Sequence, residues 1–114
     1  MIVLNLFIIK LTEGSAPKIL QKVSIDIVDQ QTCSKKYEGT ATITDGMICF
    51  GENGKGTCNG DSGGPLNCLK QGRWYTYGTT SFGVKCADDW PSVDTRNSQY
   101  SAWIWKTIDM NNRN

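Results

Sequence analysis

Three features of the sequence predict an all-β fold of antiparallel strands that ends in an α-helix. Residues 19–28 alternate between apolar and polar side chains, as in a strand with one buried face. Residues 65–69 and 73–82 are rich in β-branched and aromatic residues and flank a Gln-Gly turn, which is the pattern of a β-hairpin. Apolar side chains then recur at helical spacing over residues 100–108.

The N-terminal segment is the least informative part of the chain. Residues 1–9 are apolar apart from one asparagine, and Gly14-Ser15-Ala16 supplies small residues like those before a signal cleavage site, although no positive n-region precedes them. A signal sequence, a buried strand and an error of gene prediction all fit this pattern. We therefore treat residues 1–18 as a divergent segment and residues 19–114 as the folded domain.

The remaining elements follow in chain order. Residues 47–50 predict a short strand, and residues 52–55, rich in Gly and Asn, predict a loop. Residues 92–97 predict a further strand, after which Ser98 is the expected N-cap of the last helix. The apolar stripe of that helix is expected to pack in the core. It consists of Tyr100, Trp103, Ile104 and Ile108.

Composition excludes several classes of function. A chain of 114 residues holds one domain at most. Its net charge is +1, and no basic run is interleaved with aromatic residues, so we expect no nucleic-acid partner. No apolar stretch of about 20 residues predicts a membrane-spanning helix. The sequence contains no histidine, which excludes a Ser–His pair within these residues.

Five cysteines in so short a chain indicate an oxidising compartment, and hence a secreted protein. A zinc site built from cysteines alone would need short paired spacings such as C-x-x-C, which are missing. The glycines at 51, 54 and 56 are not followed by the Lys-Ser/Thr of a phosphate-binding loop. We therefore expect neither a metal nor a cofactor.

The most informative stretch is Gly60-Asp61-Ser62-Gly63-Gly64-Pro65. Its glycines allow a tight loop and leave no side chains that would keep a ligand from the serine. In such a loop the N–H groups of Gly60 and Ser62 can point to one spot and stabilise an oxyanion while Ser62 attacks a carbonyl group. The alternative is a glycine-rich turn between two strands.

Residues 57–68, Thr-Cys-Asn-Gly-Asp-Ser-Gly-Gly-Pro-Leu-Asn-Cys, resemble the nucleophile segment of chymotrypsin-like serine endopeptidases, nearest to elastases and chymotrypsins. Other matches keep the order and spacing of that family. They are Leu20-Gln21, Cys33, Met47-Ile48-Cys49, Gly72-Arg73-Trp74, Ser81-Phe82-Gly83, Cys86, Pro91, Thr95-Arg96, Tyr100 and Trp103-Ile104. The resemblance runs from about residue 19 to the C-terminus and matches only the second half of such an enzyme.

This resemblance implies the second antiparallel β-barrel of the two-barrel trypsin-like fold, with a C-terminal helix. It also implies a short surface helix within residues 29–37, held by Cys33. Two disulfides are implied, Cys33–Cys49 and Cys58–Cys86. The cysteine matching Cys68 bridges, in the family, to a segment upstream of the second barrel. A missing N-terminal barrel, in cis or as a separate chain, is therefore the expected partner, with Cys68 as a candidate link.

The resemblance also assigns catalytic roles. Ser62 would be the nucleophile that forms the acyl-enzyme, and the amides of Gly60 and Ser62 would form the oxyanion hole. Asp61 would form a buried ion pair with a freshly cut N-terminal ammonium group, which activates the site. Alternatively, Asp61 is a turn residue that accepts hydrogen bonds from its own backbone.

The implied specificity pocket is uncharged. Gly56 occupies the position, six before the nucleophile, at which trypsin-like members carry Asp, so a buried Lys or Arg of a substrate would lack a partner. Gly83 leaves the entrance open and Ser92 narrows the far side. We therefore expect medium to large apolar substrate side chains. The other substrate-binding residues that the resemblance implies are Thr57, Asn59, Ser81 and Phe82.

Two residues depart from the family pattern. Asp94 replaces an aromatic residue and, because strand side chains alternate, lies on the same side as Ser92. A carboxyl group behind the pocket floor would either restore some affinity for Lys and Arg or collapse the pocket. Asn97 replaces an apolar residue of the same strand.

Three functional hypotheses follow. The first is half of a secreted serine endopeptidase, inactive alone because it lacks the catalytic histidine and its orienting carboxylate. The second is a catalytically dead homologue that serves as a secreted binding module. The third is a small disulfide-bonded β domain without protease ancestry, which requires the ordered matches to be accidental.

Overall fold

The computed structural model describes residues 3–6, 18–51, 54–86 and 88–113. The described residues form seven β-strands and two α-helices. The elements are β1 (Val3–Leu6), β2 (Lys22–Ile25), β3 (Ile27–Val28), α1 (Gln30–Lys36), β4 (Met47–Phe50), β5 (Pro65–Lys70), β6 (Arg73–Phe82), β7 (Ser92–Arg96) and α2 (Asn97–Asn111).

All strands belong to one antiparallel sheet, in the order β2-β1-β5-β6-β7-β4-β3. Its two outermost strands, β2 and β3, are separated in the chain only by Asp26. Since the two edges are joined by a single residue, the sheet curls until they meet. The predicted antiparallel β fold with a C-terminal helix is thus confirmed.

Strand β1 lies between β2 and β5, with Val3 opposite both Ile25 and Cys68. Of the three interpretations of the N-terminal segment, residues 3–6 therefore follow the one that makes them a strand. Gly14-Ser15-Ala16 lies outside the described residues.

The hairpin of β5 and β6 is present as predicted. Its turn residues Gln71 and Gly72 have φ of 50° and 73°, the signs that a type I′ turn requires. The pairing of β5 with β6 shifts after Leu66, and the pairing of β6 with β7 shifts between Thr80 and Phe82. The second shift is a β-bulge at Ser81, which interrupts the alternation of side chains near the end of β6.

The core consists of two clusters on opposite faces of the sheet. One contains Ile25, Ile48, Phe50, Leu66 and Cys68, all buried. The other contains Cys33, Tyr37, Cys49 and Val93. Neighbouring residues of β4 and β7 contribute to different faces because strand side chains alternate.

Helix α1 is anchored at both ends. The Asp29 carboxylate caps its N-terminus by accepting the Thr32 N–H at 2.9 Å. Cys33 forms a disulfide with Cys49 of β4, and the Tyr37 hydroxyl donates to the Pro91 carbonyl at 2.6 Å. The short surface helix held by Cys33 is therefore confirmed.

Helix α2 differs from the prediction. It begins after Arg96 rather than after Ser98, and no side chain caps it. No residue of the helix is buried, and Trp103 is 65% exposed. The prediction that its apolar stripe packs in the core is wrong for this chain, because the helix lies mainly against one strand, β6. Neither described helix is long and apolar enough to cross a membrane.

A methyl group added at Gly78 of β6 would collide with the core. Its Cβ would lie 2.8 Å from Asp94 Cβ and 3.2 Å from Ile48 Cγ2. We expect Gly78→Ala to lower the free energy of unfolding by about 1–3 kcal/mol, because two packed strands must separate. Urea denaturation of the disulfide-bonded chain measures this change.

Gly83→Ala is the matched control. Its added Cβ would approach no atom closer than the Lys85 carbonyl oxygen, at 3.9 Å, so we expect a change below about 0.5 kcal/mol. Equal stability of the two variants would contradict the packing of Asp94 against Gly78.

Candidate active site

Ser62 lies exposed on a loop that leads into β5. Gly60 has φ of +101° and Gly63 has φ of +81°, both in the left-handed region that favours glycine. The sequence folds this way because glycines stand on both sides of the Asp-Ser pair. The loop therefore presents the serine on backbone without neighbouring bulky side chains.

Backbone hydrogen bonds fix the loop to the end of β6. The Gly63 N–H donates to the Thr80 carbonyl at 3.0 Å, and the Thr80 N–H donates to the Gly64 carbonyl at 2.8 Å. The Asp61 N–H donates to the Cys58 carbonyl at 3.0 Å. These reciprocal bonds make the loop an extension of the sheet edge.

Two amides of the loop are left unused by these bonds. The N–H groups of Asp61, Gly63 and Gly64 all donate to backbone carbonyls. Those of Gly60 and Ser62 donate no hydrogen bond to any part of the chain that the structure describes. They are the two amides for which an anion-binding role was predicted, and open backbone N–H groups in a tight loop can hold an oxyanion.

Asp61 points away from solvent. It is 1% exposed, and its Oδ2 accepts the Cys58 N–H at 2.8 Å. This bond is of the local kind that the turn interpretation predicts. Its ion pair with an N-terminal ammonium group stays a prediction.

A cavity of about 310 Å³ opens beside Ser62. Its walls come from the nucleophile loop and from the end of β6 with the loop that follows. The Cys58–Cys86 disulfide, with an S–S distance of 2.02 Å, joins these two walls. The lining residues are Thr57, Cys58, Asn59, Ser62, Thr80, Ser81, Phe82, Gly83, Val84, Lys85 and Cys86.

Five of the seven predicted substrate-binding residues line this cavity, and Gly56 and Ser92 do not. Both of these are buried. The Ser92 hydroxyl accepts the Thr57 N–H at 2.9 Å, so it supports one wall of the cavity from behind. Gly83 leaves space at the entrance, as expected from the absence of a side chain.

Sequence reasoning missed Thr80, Val84 and Lys85 as lining residues. Thr80 is buried and faces β7 opposite Asp94, and the bulge at Ser81 brings two successive residues of β6 to the cavity. Turn and strand propensities do not report such a bulge. Lys85 is exposed and lies 3.4 Å from the Asp88 carboxylate.

Asp94 is fully buried in the apolar core, opposite Ile48 of β4 and Thr80 of β6. Neither carboxyl oxygen has a hydrogen-bond partner among the described residues. Burial raises the pKa of Asp94 to about 8, because the ionised form loses its hydration. The group is therefore mainly protonated at neutral pH.

Asn97, the other departure from the family pattern, is accommodated by polar contacts. Its side-chain oxygen accepts from the Thr79 hydroxyl at 3.0 Å, and its amide nitrogen donates to the Thr76 hydroxyl at 3.1 Å. These bonds tie the first turn of α2 to β6. The substitution leaves this region ordered.

An exposed serine between open backbone amides and a walled cavity is the arrangement of a serine hydrolase. The comparisons with known proteins specify the class further: the chain belongs to the trypsin family, whose model matches residues 9–104. It is 37% identical over 99 residues to serine protease 28 of Mus musculus. The alignment covers 81% of this chain and 36% of that protein, so the chain spans about a third of its relative's length. The family match begins at residue 9, ahead of the start at about residue 19 given by the motifs.

The buried carboxyl group predicts an unusual pH dependence of stability. The unfolded chain binds the Asp94 proton only below about pH 4, whereas the folded chain holds it up to about pH 8. Between these values the folded state binds more protons, so raising the pH lowers its stability. We expect Asp94→Asn to remove this loss, making the variant more stable than the parent above about pH 8. Denaturant unfolding at several pH values measures the difference.

Asp89→Asn is the control, since it removes a carboxylate from an exposed loop. Its unfolding should follow the pH dependence of the parent chain. If Asp94→Asn also follows the parent curve, Asp94 is not buried as a protonated group.

Proposed function

We propose that this chain is the C-terminal half of a secreted serine endopeptidase and corresponds to the second barrel of the trypsin-like fold. The sheet whose edges meet at Asp26, the C-terminal helix and the family membership support this assignment. The observation that carries it is the pair of open amides at Gly60 and Ser62 on the loop that also walls the cavity. Two disulfides and the family favour secretion.

The proposed reaction is peptide-bond hydrolysis through an acyl-enzyme. The Ser62 hydroxyl attacks the substrate carbonyl, and the N–H groups of Gly60 and Ser62 bind the oxyanion that forms. A serine hydroxyl needs a base to take its proton, and these 114 residues contain no histidine. The base and its orienting carboxylate are therefore supplied by the other half of the protease. Asp61 pairs with the N-terminal ammonium group that activation creates.

The proposed substrate preference at neutral pH is for medium to large apolar side chains. Gly56 contributes no charge, and Asp94 is mainly protonated. Each additional methylene group of a substrate would change the preference by only about 1–3 kcal/mol. The preference is therefore graded.

The proposed partner is the N-terminal barrel. Helix α2 and the neighbouring part of β6 form a groove of about 510 Å³. Around it Trp74, Trp103 and Trp105 are exposed, which is unusual for a surface that faces water. Cys68 is fully buried and lies opposite β1 at Val3. A disulfide from Cys68 to another segment would thus require that segment to take the place of β1.

A fluorophosphonate probe tests the catalytic proposal. We expect no stoichiometric labelling of the 114-residue chain, since no base activates Ser62. We expect full labelling at Ser62 when the chain is produced together with an N-terminal barrel that carries the histidine and aspartate. Intact-mass spectrometry quantifies the label, and Ser62→Ala is the control that must remain unlabelled.

The outcomes separate the hypotheses. Stoichiometric labelling of the isolated chain would show that the base lies within it and would refute the proposed division of roles. No labelling in the two-barrel protein, together with retained binding of apolar peptides, would favour the binding-module alternative.

The exposed apolar surface predicts self-association of the isolated chain. Trp105 is 69% exposed on α2, so Trp105→Lys should shift the chain toward the monomer by removing apolar contact area. Gln99→Lys adds the same charge at an exposed polar position of the same helix and should leave association unchanged. Light scattering over a concentration series measures both. A monomeric parent chain at all concentrations would contradict the prediction.

A further inference from the structure

Two buried polar side chains face each other across β6 and β7 with their hydrogen-bonding capacity unused. Thr80 and Asp94 are directly opposite in the register of these strands. The Thr80 hydroxyl and both Asp94 carboxyl oxygens form no hydrogen bond with the described residues. Buried polar groups are nearly always hydrogen-bonded, so this pair indicates a place for a donor from outside the chain.

The pair lies at the inner end of the cavity beside Ser62. Thr80 lines that cavity, and Asp94 lies directly behind Thr80. Gly78 supplies the space that the carboxyl group occupies, since Asp94 Oδ2 lies 2.9 Å from where a Cβ would stand. Ser92 is on the same face as Asp94, but its hydroxyl is used by the Thr57 N–H. The unused acceptors of this face are therefore those of Thr80 and Asp94.

We propose that Asp94, together with Thr80, is a specificity-determining residue that accepts the cationic end of a ligand at the inner end of this cavity. The ligand class is an ammonium or amidinium group carried on an apolar stem, as in a basic side chain of a peptide. This inference rests on the proposed pocket and deepens it. The pocket then takes basic as well as apolar side chains.

Few charged groups compete for Asp94 among the described residues. Strand β4, which packs against it, contains no charged side chain. Tyr77 is the titratable side chain of β6 that packs against the same core cluster. The Arg96 guanidinium of β7 is engaged elsewhere, with Gln30 at 3.1 Å and the Met47 carbonyl at 3.1 Å.

Other ionisable groups lie around the cavity. Lys85 lines it near the entrance and is paired with Asp88, so it opposes a cation there only weakly. Asp61 is buried in the nucleophile loop, and Cys68 is buried in the core cluster that contains Ile48. None of these supplies a cation to Asp94.

The proposed site makes ligand choice depend on pH. A protonated Asp94 offers a neutral end, which suits apolar ligands. A cation bound nearby favours the ionised carboxylate, so binding a cation near neutral pH expels the Asp94 proton to solvent. Affinity for cations should therefore rise as pH increases, while affinity for neutral ligands of the same shape should stay constant.

Benzamidine and benzamide test this inference on the 114-residue chain. Benzamidine is an aromatic amidinium that stays protonated over the range used, and benzamide is its neutral counterpart of similar shape. We expect benzamidine affinity to rise by at least about tenfold between about pH 6 and about pH 9, with benzamide unchanged. Calorimetry near neutral pH in buffers of different ionisation enthalpy should also show a proton released on benzamidine binding.

Variants identify the group responsible. Asp94→Asn should abolish both the pH dependence and the proton release, and Thr80→Val should weaken benzamidine but not benzamide. Asp89→Asn, which removes an exposed carboxylate, should behave as the parent chain. The calorimetric readout is taken where the parent is folded, so a change in stability at high pH does not imitate the result.

Each remaining outcome contradicts a distinct statement. Benzamide binding without pH-dependent benzamidine binding would overturn the role of Asp94 and leave the pocket intact. Proton release that persists in Asp94→Asn would assign it to another group and overturn the inference. Failure of both ligands to bind would instead contradict the proposed pocket, and with it the proposed function.

Discussion

The attachment of the nucleophile loop to the end of β6 is the interaction on which the site depends. Gly63 and Thr80 exchange backbone hydrogen bonds through the Gly64 carbonyl, and the Cys58–Cys86 disulfide holds the other end of the loop against the chain that follows β6. With both ends fixed, the two open amides and the cavity keep one relative position. An oxyanion site is effective only when its donors are held in place before the charge develops. The sheet supplies that rigidity.

The same attachment explains why the bulge at Ser81 matters. Without it, Thr80 and Phe82 would share one face of β6 and Ser81 would lie on the other. The extra residue turns successive side chains of the strand end toward the cavity while Thr80 keeps its place opposite Asp94. A strand end thus contributes both backbone hydrogen bonds to the nucleophile loop and side chains to the cavity wall.

Local sequence signals predicted the elements that are determined locally. The Gln71-Gly72 turn predicted the hairpin because few residue pairs adopt positive φ at both turn positions. The alternation of Val23 and Ile25 likewise predicted a strand with one buried face. The two disulfides present, Cys33–Cys49 and Cys58–Cys86, are those that the family resemblance implies, and spacing alone does not determine such a pairing.

Features set by tertiary context were beyond the sequence. The spacing of Tyr100, Ile104 and Ile108 shows that α2 has an apolar face, but not what covers that face, and in this chain nothing buries it. The bulge that brings Thr80 to the cavity depends on three strands paired at once. Periodicity likewise placed Asp94 on the face of Ser92, but not its lack of partners, which depends on what β4 and β6 place around it.

Asp94 connects the stability of the fold to the electrostatics of the cavity. An ionised carboxylate in this apolar core would be strongly unfavourable, so the fold holds the proton and thereby holds the inner end of the cavity neutral. Any cation that reaches Thr80 must supply enough favourable interaction to replace that proton. Because one proton is bound in both processes, a ligand that displaces it also offsets the loss of stability that alkaline pH would otherwise cause. The charge preference of the cavity and the pH dependence of folding are therefore two consequences of a single buried group.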